Sequence, residues 1–314
     1  MPSSANQKFT ARLSPPLVFS ALLAISLVIW FGPLRASFTL ALGDDANTHL
    51  LLTIPLSAAM IFLEWKPPAP SSGLNAAISL LLLVVAVLIW AVLRWRVPSS
   101  DVELAMNMLA LVAWWIGAFA LCFGMGAFCR ALFPLCFLLW MIPLPRYALN
   151  WIVGLLQQGS AVAAHLLFMA AGVPVAQRGL LLHIPGLTLE VAPECSSIRS
   201  SLMLLVTTMV LAHLLLRTFW RKAMLVAVAI PVSVAKNGLR IFVLGMLGSR
   251  VDPSFLTGRL HREGGIIYFL IALVAMGLLL WILRRGEEKR GADRDPYWKE
   301  KKKEKEKEID QAKA

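Results

Sequence analysis

The chain has 314 residues, of which 58% are hydrophobic and 15% are charged, and its mean hydropathy is +0.72. These values exclude an ordinary soluble protein, and continuous apolar runs of helical length predict an all-α, polytopic transmembrane bundle rather than a β-barrel. The net charge of +12 is typical of cytoplasmic loops and lipid-headgroup contacts in a membrane protein, so lipids and not nucleic acid are the expected partners.

Nine apolar segments, in chain order, are candidate membrane spans. They cover residues 16–32, 48–64, 73–93, 104–128, 131–145, 151–172, 196–216, 222–248 and 264–283. The first is expected to be a retained helix, because Lys8 and Arg12 match only part of a signal-peptide pattern. The fifth is short and contains three prolines, so it either spans thinly or turns back inside the protein. The sequence therefore predicts eight or nine spans.

Three cysteines, Cys122, Cys129 and Cys136, follow one another at intervals of seven residues. They share one helix face if the helix continues through Pro134. No histidine or carboxylate accompanies them as a ligand set, so they are interpreted as small packing residues inside the bundle. No metal and no other cofactor is predicted.

The basic residues indicate how the C-terminal half is oriented. Arg284 and Arg285 directly follow the last span, which places the Lys- and Glu-rich tail in the cytoplasm as a solvated helix or a disordered segment. Counting backwards, residues 249–263 lie outside, residues 217–222 lie inside and residues 173–194 lie outside. The orientation of the N-terminus is left open.

The outer segment before the seventh span contains a predicted β-hairpin. Residues 179–192 read as two short strands around Pro185-Gly186, and they lead directly into Pro193-Glu194-Cys195. Such a hairpin could present an extended peptide to the cysteine.

Cys195 is a candidate nucleophile. Ser196, Ser197 and a long apolar run follow it, which places it at the beginning of a helix, where the helix dipole and free N–H groups favour a thiolate. The alternative is a small buried residue without chemistry.

Arg240 and His261 lie on the same predicted side as Cys195. Arg240 is about 27 Å beyond the cytoplasmic Lys222 at 1.5 Å per residue, and Asn237 shares its helix face. A charge within a span usually faces a partner or a cavity, although Arg240 could instead snorkel to headgroups and Asn237 could serve an interhelical hydrogen bond alone. His261 precedes the last span and can exchange a proton near neutral pH, unless it is an exposed loop residue.

Thiol, imidazole and guanidinium together are the groups that acyl transfer requires: a nucleophile, an acid/base and a cation for the developing negative charge. His165 and Gln158 share a face of the sixth segment and either line the bundle interior or make packing contacts.

The chain resembles the exosortase and archaeosortase family of integral membrane cysteine transpeptidases. The resemblance rests on Ala192-Pro-Glu-Cys-Ser-Ser-Ile-Arg199, Asn237-Gly-Leu-Arg240 and His261-Arg-Glu-Gly-Gly265, and it extends over about residues 104–283. One departure is Ser197, which stands where the family commonly has glycine. The resemblance implies three parts: N-terminal spans in residues 1–103, a catalytic core in 104–283 and a cytoplasmic tail in 284–314.

The resemblance also implies a function. Cys195 would attack the substrate peptide bond, Arg240 and His261 would complete the catalytic group, and Asn237, Arg199 and Ser196 would support it. The substrates would be secreted proteins with a C-terminal sorting signal of the PEP-CTERM kind, which consists of a short motif, a transmembrane helix and a basic end. Cleavage through a thioester would occur on the outer face of a bacterial inner membrane, with water, lipid or glycan as acceptor.

A rival hypothesis belongs to a different class of protein. In a transporter or an exopolysaccharide-assembly component, Arg240 and His165 would line a pathway and Cys195 would be incidental. No internal repeat in the sequence supports this hypothesis.

Overall fold

The computed structural model describes residues 14–65, 73–95, 100–191, 198–252, 254 and 265–294. This part of the chain is mostly helical, as the composition predicts, and it includes one small sheet. The helices are α1 Pro15–Ile29, α2 Phe31–Gly43, α3 Leu50–Leu63, α4 Gly73–Trp95, α5 Ser100–Arg130, α6 Leu132–Phe137, α7 Arg146–Ala170, α8 Ile198–Leu215, α9 Phe219–Arg250 and α10 Gly265–Arg294. Residues 1–148 and 149–314 form two compact units.

Five of the described helices are long and apolar enough to cross a bilayer. They are α5, α7, α8, α9 and α10, and the pair α1 and α2, bent by 74°, counts as a sixth if it forms one broken span. The predicted eight or nine spans are therefore not confirmed. The predicted second span is α3, which has only 14 residues, and the predicted fifth span is the six-residue α6 followed by a 3₁₀ turn.

The first unit has an apolar, aromatic core. Trp30, Phe119 and Phe123 are buried there together with side chains from α4 and α5. The indoles of Trp114 and Trp115 donate hydrogen bonds to α1, to Leu22 O at 3.0 Å and to Ser26 Oγ at 2.9 Å. Aromatic rings thus fill this core, and the N–H groups of Trp114 and Trp115 are satisfied by the facing helix.

The three cysteines of this unit do not form the buried face that their spacing suggested. Helix α5 is interrupted at Gly124, where φ is +76°, and it ends at Arg130. Cys129 and Cys136 are exposed, and only Cys122 is partly buried. The interpretation as packing residues inside the bundle was therefore wrong for Cys129 and Cys136, because the helix they were assumed to share is not continuous.

The second unit contains a three-stranded antiparallel sheet in the order β1-β2-β3. Its strands are β1 Ala176–Arg178, β2 Leu181–Ile184 and β3 Leu187–Glu190. Ile184 pairs with Leu187, so Pro185-Gly186 forms a two-residue turn, and the φ of +80° at Gly186 favours glycine there. The predicted hairpin is confirmed. The third strand, β1, was not predicted, because Ala-Gln-Arg has no apolar alternation.

Helices α8, α9 and α10 pack pairwise around a shared apolar core. Leu204, Ala212, Leu225, Ala272 and Met276 are among its buried side chains. Helix α9 remains one element over its full length although it contains Pro231.

The two ends of this three-helix bundle are distinguished by the contacts of α10. The carboxylate of Glu287 accepts hydrogen bonds from the backbone N–H groups of Arg217 and Thr218, at 2.9 and 2.8 Å. The C-terminal part of α10 therefore lies at the turn between α8 and α9, which we call the turn end. The starts of α8 and α10 and the second half of α9 lie at the opposite end, which we call the distal end.

The contacts at the turn end also change the description of the tail. Residues from 284 onward were predicted to form a solvated helix or a disordered segment, and the first part of this range is helical. Helix α10 continues to Arg294, and a contact that the sequence did not predict is that of Glu287 with the backbone of the α8–α9 turn. The two basic segments that the charge pattern placed on one side of the membrane are in contact here.

Candidate functional site

The predicted site residues divide into two groups. Arg240, Asn237 and Arg199 lie in described helices. Cys195, His261 and Ser196 lie outside the described residues, and only the elements that flank them in the chain are described.

Those neighbouring elements all lie at the distal end. Helix α8 begins three residues after Cys195, and α10 begins four residues after His261. At 1.5 Å per residue, these helix starts are about 29 and 33 Å from the turn end, and Arg240 is about 33 Å from it. The described elements thus bring Arg240 to the same end of the bundle as the starts of α8 and α10.

Arg240 projects from α9 at this end and is partly buried. Its guanidinium is close enough to interact electrostatically with Lys236, one turn earlier on the same helix, and with the buried Tyr268 in the first turn of α10. Arg240 therefore faces its neighbours in the bundle, which is the arrangement expected of a charge that serves a site.

The sequence assigned no role to Lys236, which directly precedes the α9 motif Asn237-Gly-Leu-Arg240. Its side chain is only 6% exposed, and its ammonium donates a hydrogen bond to Ser200 Oγ in the first turn of α8. A lysine inside an apolar helix, one turn from a candidate catalytic arginine, was the signal in the sequence that could have identified it.

Asn237 ties α9 to α7. It is 1% exposed, and its amide nitrogen donates to Ser160 Oγ at 2.9 Å. A Cβ at the next residue, Gly238, would lie 2.5 Å from Ala163 Cβ and 3.0 Å from Ala164 N. The two helices therefore approach closely here, which small residues at a membrane-helix interface allow. Arg199, by contrast, is exposed on α8.

Gln157 holds the end of the sheet. It is 7% exposed, and its amide nitrogen donates to the carbonyl oxygen of Val191 at 2.8 Å. Val191 is the last described residue before the segment that contains Cys195. The sequence had paired Gln158 with His165 as inward-facing residues, but Gln158 is exposed and Gln157 is the buried glutamine.

The sheet is also packed against the helices. A Cβ at Gly245 of α9 would lie 2.6 Å from Leu189 Cδ1 of β3 and 2.7 Å from Phe168 Cζ of α7. Strand β3 thus lies directly on α9, and Val191, the residue after this strand, is fixed by Gln157. Within the described ranges, no group of three or more His, Cys, Asp or Glu side chains is placed to hold a metal ion.

The apolar helices and the buried polar groups at one end define a multi-pass membrane protein with a polar site in its helical bundle. A family model described as transmembrane exosortase (Exosortase_EpsH) matches residues 39–278. Because this match covers most of the chain, the protein belongs to the transmembrane exosortase family. No curated protein and no solved structure matches it.

The matched range includes all three motifs on which the resemblance rested, and it begins well before residue 104. Helices α3 and α4 of the first unit therefore belong to the matched region, as does the C-terminal part of α2. The predicted division of the chain at residues 103 and 283 stays a prediction.

Proposed function

We propose that the protein is a membrane cysteine transpeptidase that cleaves C-terminal sorting signals of secreted proteins. The observation that carries this proposal is the family match over residues 39–278, which includes Cys195, Arg240 and His261. The described structure supports it through the common position, at the distal end, of Arg240 and the helix starts that follow Cys195 and His261.

In the proposed reaction the proton of the Cys195 thiol passes to the imidazole of His261. The thiolate sulfur then attacks the carbonyl carbon of the scissile peptide bond, and the resulting oxyanion is stabilised by the guanidinium of Arg240. When the carbon–nitrogen bond breaks, the leaving amine takes the proton from His261, and a thioester remains on Cys195.

The second half of the reaction releases the product. An acceptor nucleophile loses a proton to His261 and attacks the thioester carbon, and the departing sulfur of Cys195 recovers its proton. Water as acceptor gives hydrolysis, whereas an amine or hydroxyl group of a lipid or glycan gives transfer. Both halves of the reaction use Cys195 and His261, and neither half requires an external oxidant or reductant.

The buried polar residues would keep this group in place. Asn237 fixes the α9 helix that carries Arg240 against α7, and Gln157 fixes the strand that leads toward Cys195. Because side chains buried by packing and hydrogen bonds move little, they can hold reacting groups at productive distances.

The proposed substrates carry a short motif, a transmembrane helix and a basic end, and the proposed location is a bacterial inner membrane. The distal end would face the outside, and the turn end, with Arg217, Arg221, Lys222 and Arg284, would face the cytoplasm. This orientation follows from the positive-inside rule, and the contact between the two basic segments supports it.

The test is substrate processing in cells that produce Cys195→Ala or Cys195→Ser. A tagged secreted protein with a candidate C-terminal signal is followed by its size, and membrane levels of each variant are measured in parallel. Cys129→Ser, which changes an exposed cysteine of α5, is the matched control. Processing should stop in both Cys195 variants and continue in the control. Continued processing without Cys195 would refute the proposal and favour a transporter or scaffold role.

A further inference from the structure

We infer that an acidic groove in the first unit binds the basic end of the substrate's sorting signal. The inference rests on the proposed function, from which the basic end of the substrate is taken. It assigns a binding site to described residues outside the group of Cys195, Arg240 and His261. The groove is lined by the end of α2 and by the starts of α5 and α7, and its volume is about 920 Å³. That volume is within the range of about 300–1,000 Å³ that ligand sites have.

The groove carries more negative than positive charge. Its charged lining residues are Asp44 at the end of α2, Asp101 and Glu103 in the first turn of α5, and Arg146 at the start of α7. Arg146 pairs with Asp101 at 3.0 Å. In the described part of the chain, no cation pairs with Asp44 or Glu103. Both carboxylates are only partly exposed, so water screens them less than it screens charges on an open surface, and the groove attracts cations.

A buried amide also lines the groove. Asn107 of α5 is 7% exposed, and its Nδ2 donates to the carbonyl oxygen of Glu103 in the same helix at 3.0 Å. Unlike Asn237, it ties no second helix to its own, and its amide oxygen has no hydrogen-bond donor among the described residues. Buried polar groups in membrane helices usually have a partner or serve a site. An amide oxygen accepts hydrogen bonds from an ammonium or a guanidinium.

The arrangement of the carboxylates indicates what kind of cation fits. Within the described ranges, no three acidic side chains are placed to hold one metal ion. The negative charge instead comes from two helices and is distributed around a cavity that is much larger than an ion. Such a site suits several ammonium or guanidinium groups on one extended ligand, because each can pair with a different acceptor.

The side of the membrane on which the groove lies follows from α7. This helix is long and apolar enough to be one span, and the sheet that follows it lies on the outer side in the proposed orientation. The start of α7, with Arg146 and its partner Asp101, is therefore on the cytoplasmic side. A membrane-spanning substrate that is cut outside also keeps its basic end in the cytoplasm, by the positive-inside rule. The groove and the basic end thus share one side.

Local helix stability does not account for the groove. Asp101 and Glu103 interact favourably with the dipole of α5, and Asp44 accepts hydrogen bonds from Ala46 N at 3.0 Å and Asn47 Nδ2 at 2.8 Å. These roles do not require that carboxylates of two helices line one cavity. A purely structural role would also not depend on the charge of the substrate, whereas the inferred role does.

The test measures peptide binding to full-length Cys195→Ala protein in phosphatidylcholine nanodiscs, so that neither cleavage nor anionic lipid affects the result. The probe is a fluorescent synthetic peptide with an apolar helix of about 20 residues that ends in tetra-arginine, and its twin ends in tetraglutamine. The Arg-ended peptide should bind about tenfold more tightly, and salt should reduce this difference. Glu103→Gln should weaken binding of the Arg-ended peptide about fivefold, the upper range for one partly exposed ion pair, and leave the Gln-ended peptide unchanged.

Two more substitutions decide the question if Glu103→Gln does not fold. Asp44→Asn should weaken binding of the Arg-ended peptide by a similar factor. Arg146→Gln should have the opposite effect, because it removes the cation that competes with the ligand for Asp101. Since the side chain of Arg146 is 84% exposed, its replacement should be tolerated, and it should tighten binding of the Arg-ended peptide about threefold.

Glu288→Gln is the matched control. Glu288 of α10 is an exposed carboxylate that pairs with Arg284 at 3.1 Å, and it lies on the same proposed side of the membrane. It does not line the groove. The same loss of charge there should leave the affinities of both peptides unchanged.

Equal affinity of the two peptides for the parent protein would overturn the inference. A preference for the Arg-ended peptide that Glu103→Gln, Asp44→Asn and Arg146→Gln all leave unchanged would also overturn it. Either result would leave the groove to a cation of the chain itself, such as Arg96, which precedes α5. Neither result would affect the proposed function, which fails only if cells that produce Cys195→Ala continue to process the substrate.

Discussion

The two ends of the α8–α9–α10 bundle use their polar residues differently. At the turn end, charged side chains bind backbone groups: Glu287 accepts from two N–H groups of the α8–α9 turn, and Arg221 donates to the carbonyl oxygen of Leu283 at 2.5 Å. At the distal end, two almost fully buried polar side chains of α9 bind other side chains, Lys236 with Ser200 and Asn237 with Ser160.

This difference separates contacts that any helical fold requires from contacts that it does not require. Backbone groups at helix ends need partners in any fold, so the turn-end contacts satisfy a structural requirement. A buried lysine and amide are not needed to complete a helix end, and a membrane protein retains such groups mainly where they serve a site. Four predictions test this contrast, beginning with the largest expected effect.

Gly238→Leu should disrupt the distal end most strongly. Even a Cβ at this position would lie 2.5 Å from Ala163 Cβ, and the backbone nitrogen of Ala164 at 3.0 Å cannot move away without displacing α7. We expect a loss of about 3 kcal/mol or more, together with loss of processing, measured by thermal unfolding in detergent and by the processing assay.

Gly277→Leu is the control for the same substitution in a neighbouring helix. Gly277 of α10 is exposed, and an added Cβ would meet nothing within 4 Å. Its unfolding temperature should match the parent or rise slightly, since leucine favours a helix over glycine. An equal loss of thermal stability in Gly238→Leu and Gly277→Leu would show that the close approach of α7 and α9 does not cause the loss in Gly238→Leu.

Asn237→Ala should have the next largest effect. Removal of the amide leaves Ser160 Oγ buried without the donor that it now has at 2.9 Å. A double-mutant cycle with Ser160→Ala should give a coupling energy of about 0.6 to 1.7 kcal/mol, the range measured for interhelical hydrogen bonds in membranes. A coupling energy near zero would mean that the two side chains do not depend on each other.

The contacts at the distal end also show what sequence reasoning reached and what it missed. The hairpin was predicted because Pro185-Gly186 encodes its turn locally, and α9 was predicted from its apolar length. The partnership of Asn237 with Ser160 joins residues 77 apart in the chain, so it depends on helix packing that no local pattern reveals. The same holds for Lys236 and Ser200.

Two errors have a common origin in helix phase. Successive helical residues are rotated by about 100°, so choosing Gln158 in place of Gln157 turns the side chain from the core to the surface. The seven-residue spacing of the cysteines assumed an unbroken helix, and the positive φ at Gly124 breaks it. Spacing arguments therefore hold only while a helix stays regular, which the site motif on α9 does.

Glu287→Gln should weaken the turn end by about 1 kcal/mol. The carboxylate now accepts two charge-assisted hydrogen bonds, and Thr218, the N-cap of α9, makes no capping bond with its own side chain. Glu288→Gln, which alters an exposed pair with Arg284, should change stability by less than about 0.5 kcal/mol. Processing by the folded Glu287 variant should stay normal, and a specific loss of processing would contradict the division between the two ends.

Asp252→Asn should have the smallest effect, and its pH dependence identifies the cause. Asp252 follows α9, and the backbone N–H of Ser254 donates to Asp252 Oδ1 at 2.7 Å, which lowers the pKa of this carboxyl. A lowered folded-state pKa gives stability that is fully present above the unfolded value of about 3.9 and is lost as pH falls through the folded pKa. The difference in unfolding temperature between parent and variant should therefore be present at pH 7 and disappear in acid. Ser254→Ala keeps the backbone donor and removes the hydroxyl, so its unfolding temperature at pH 7 should lie between those of the parent and Asp252→Asn. A difference between the parent and Asp252→Asn that persisted in acid would exclude the carboxylate charge as its source.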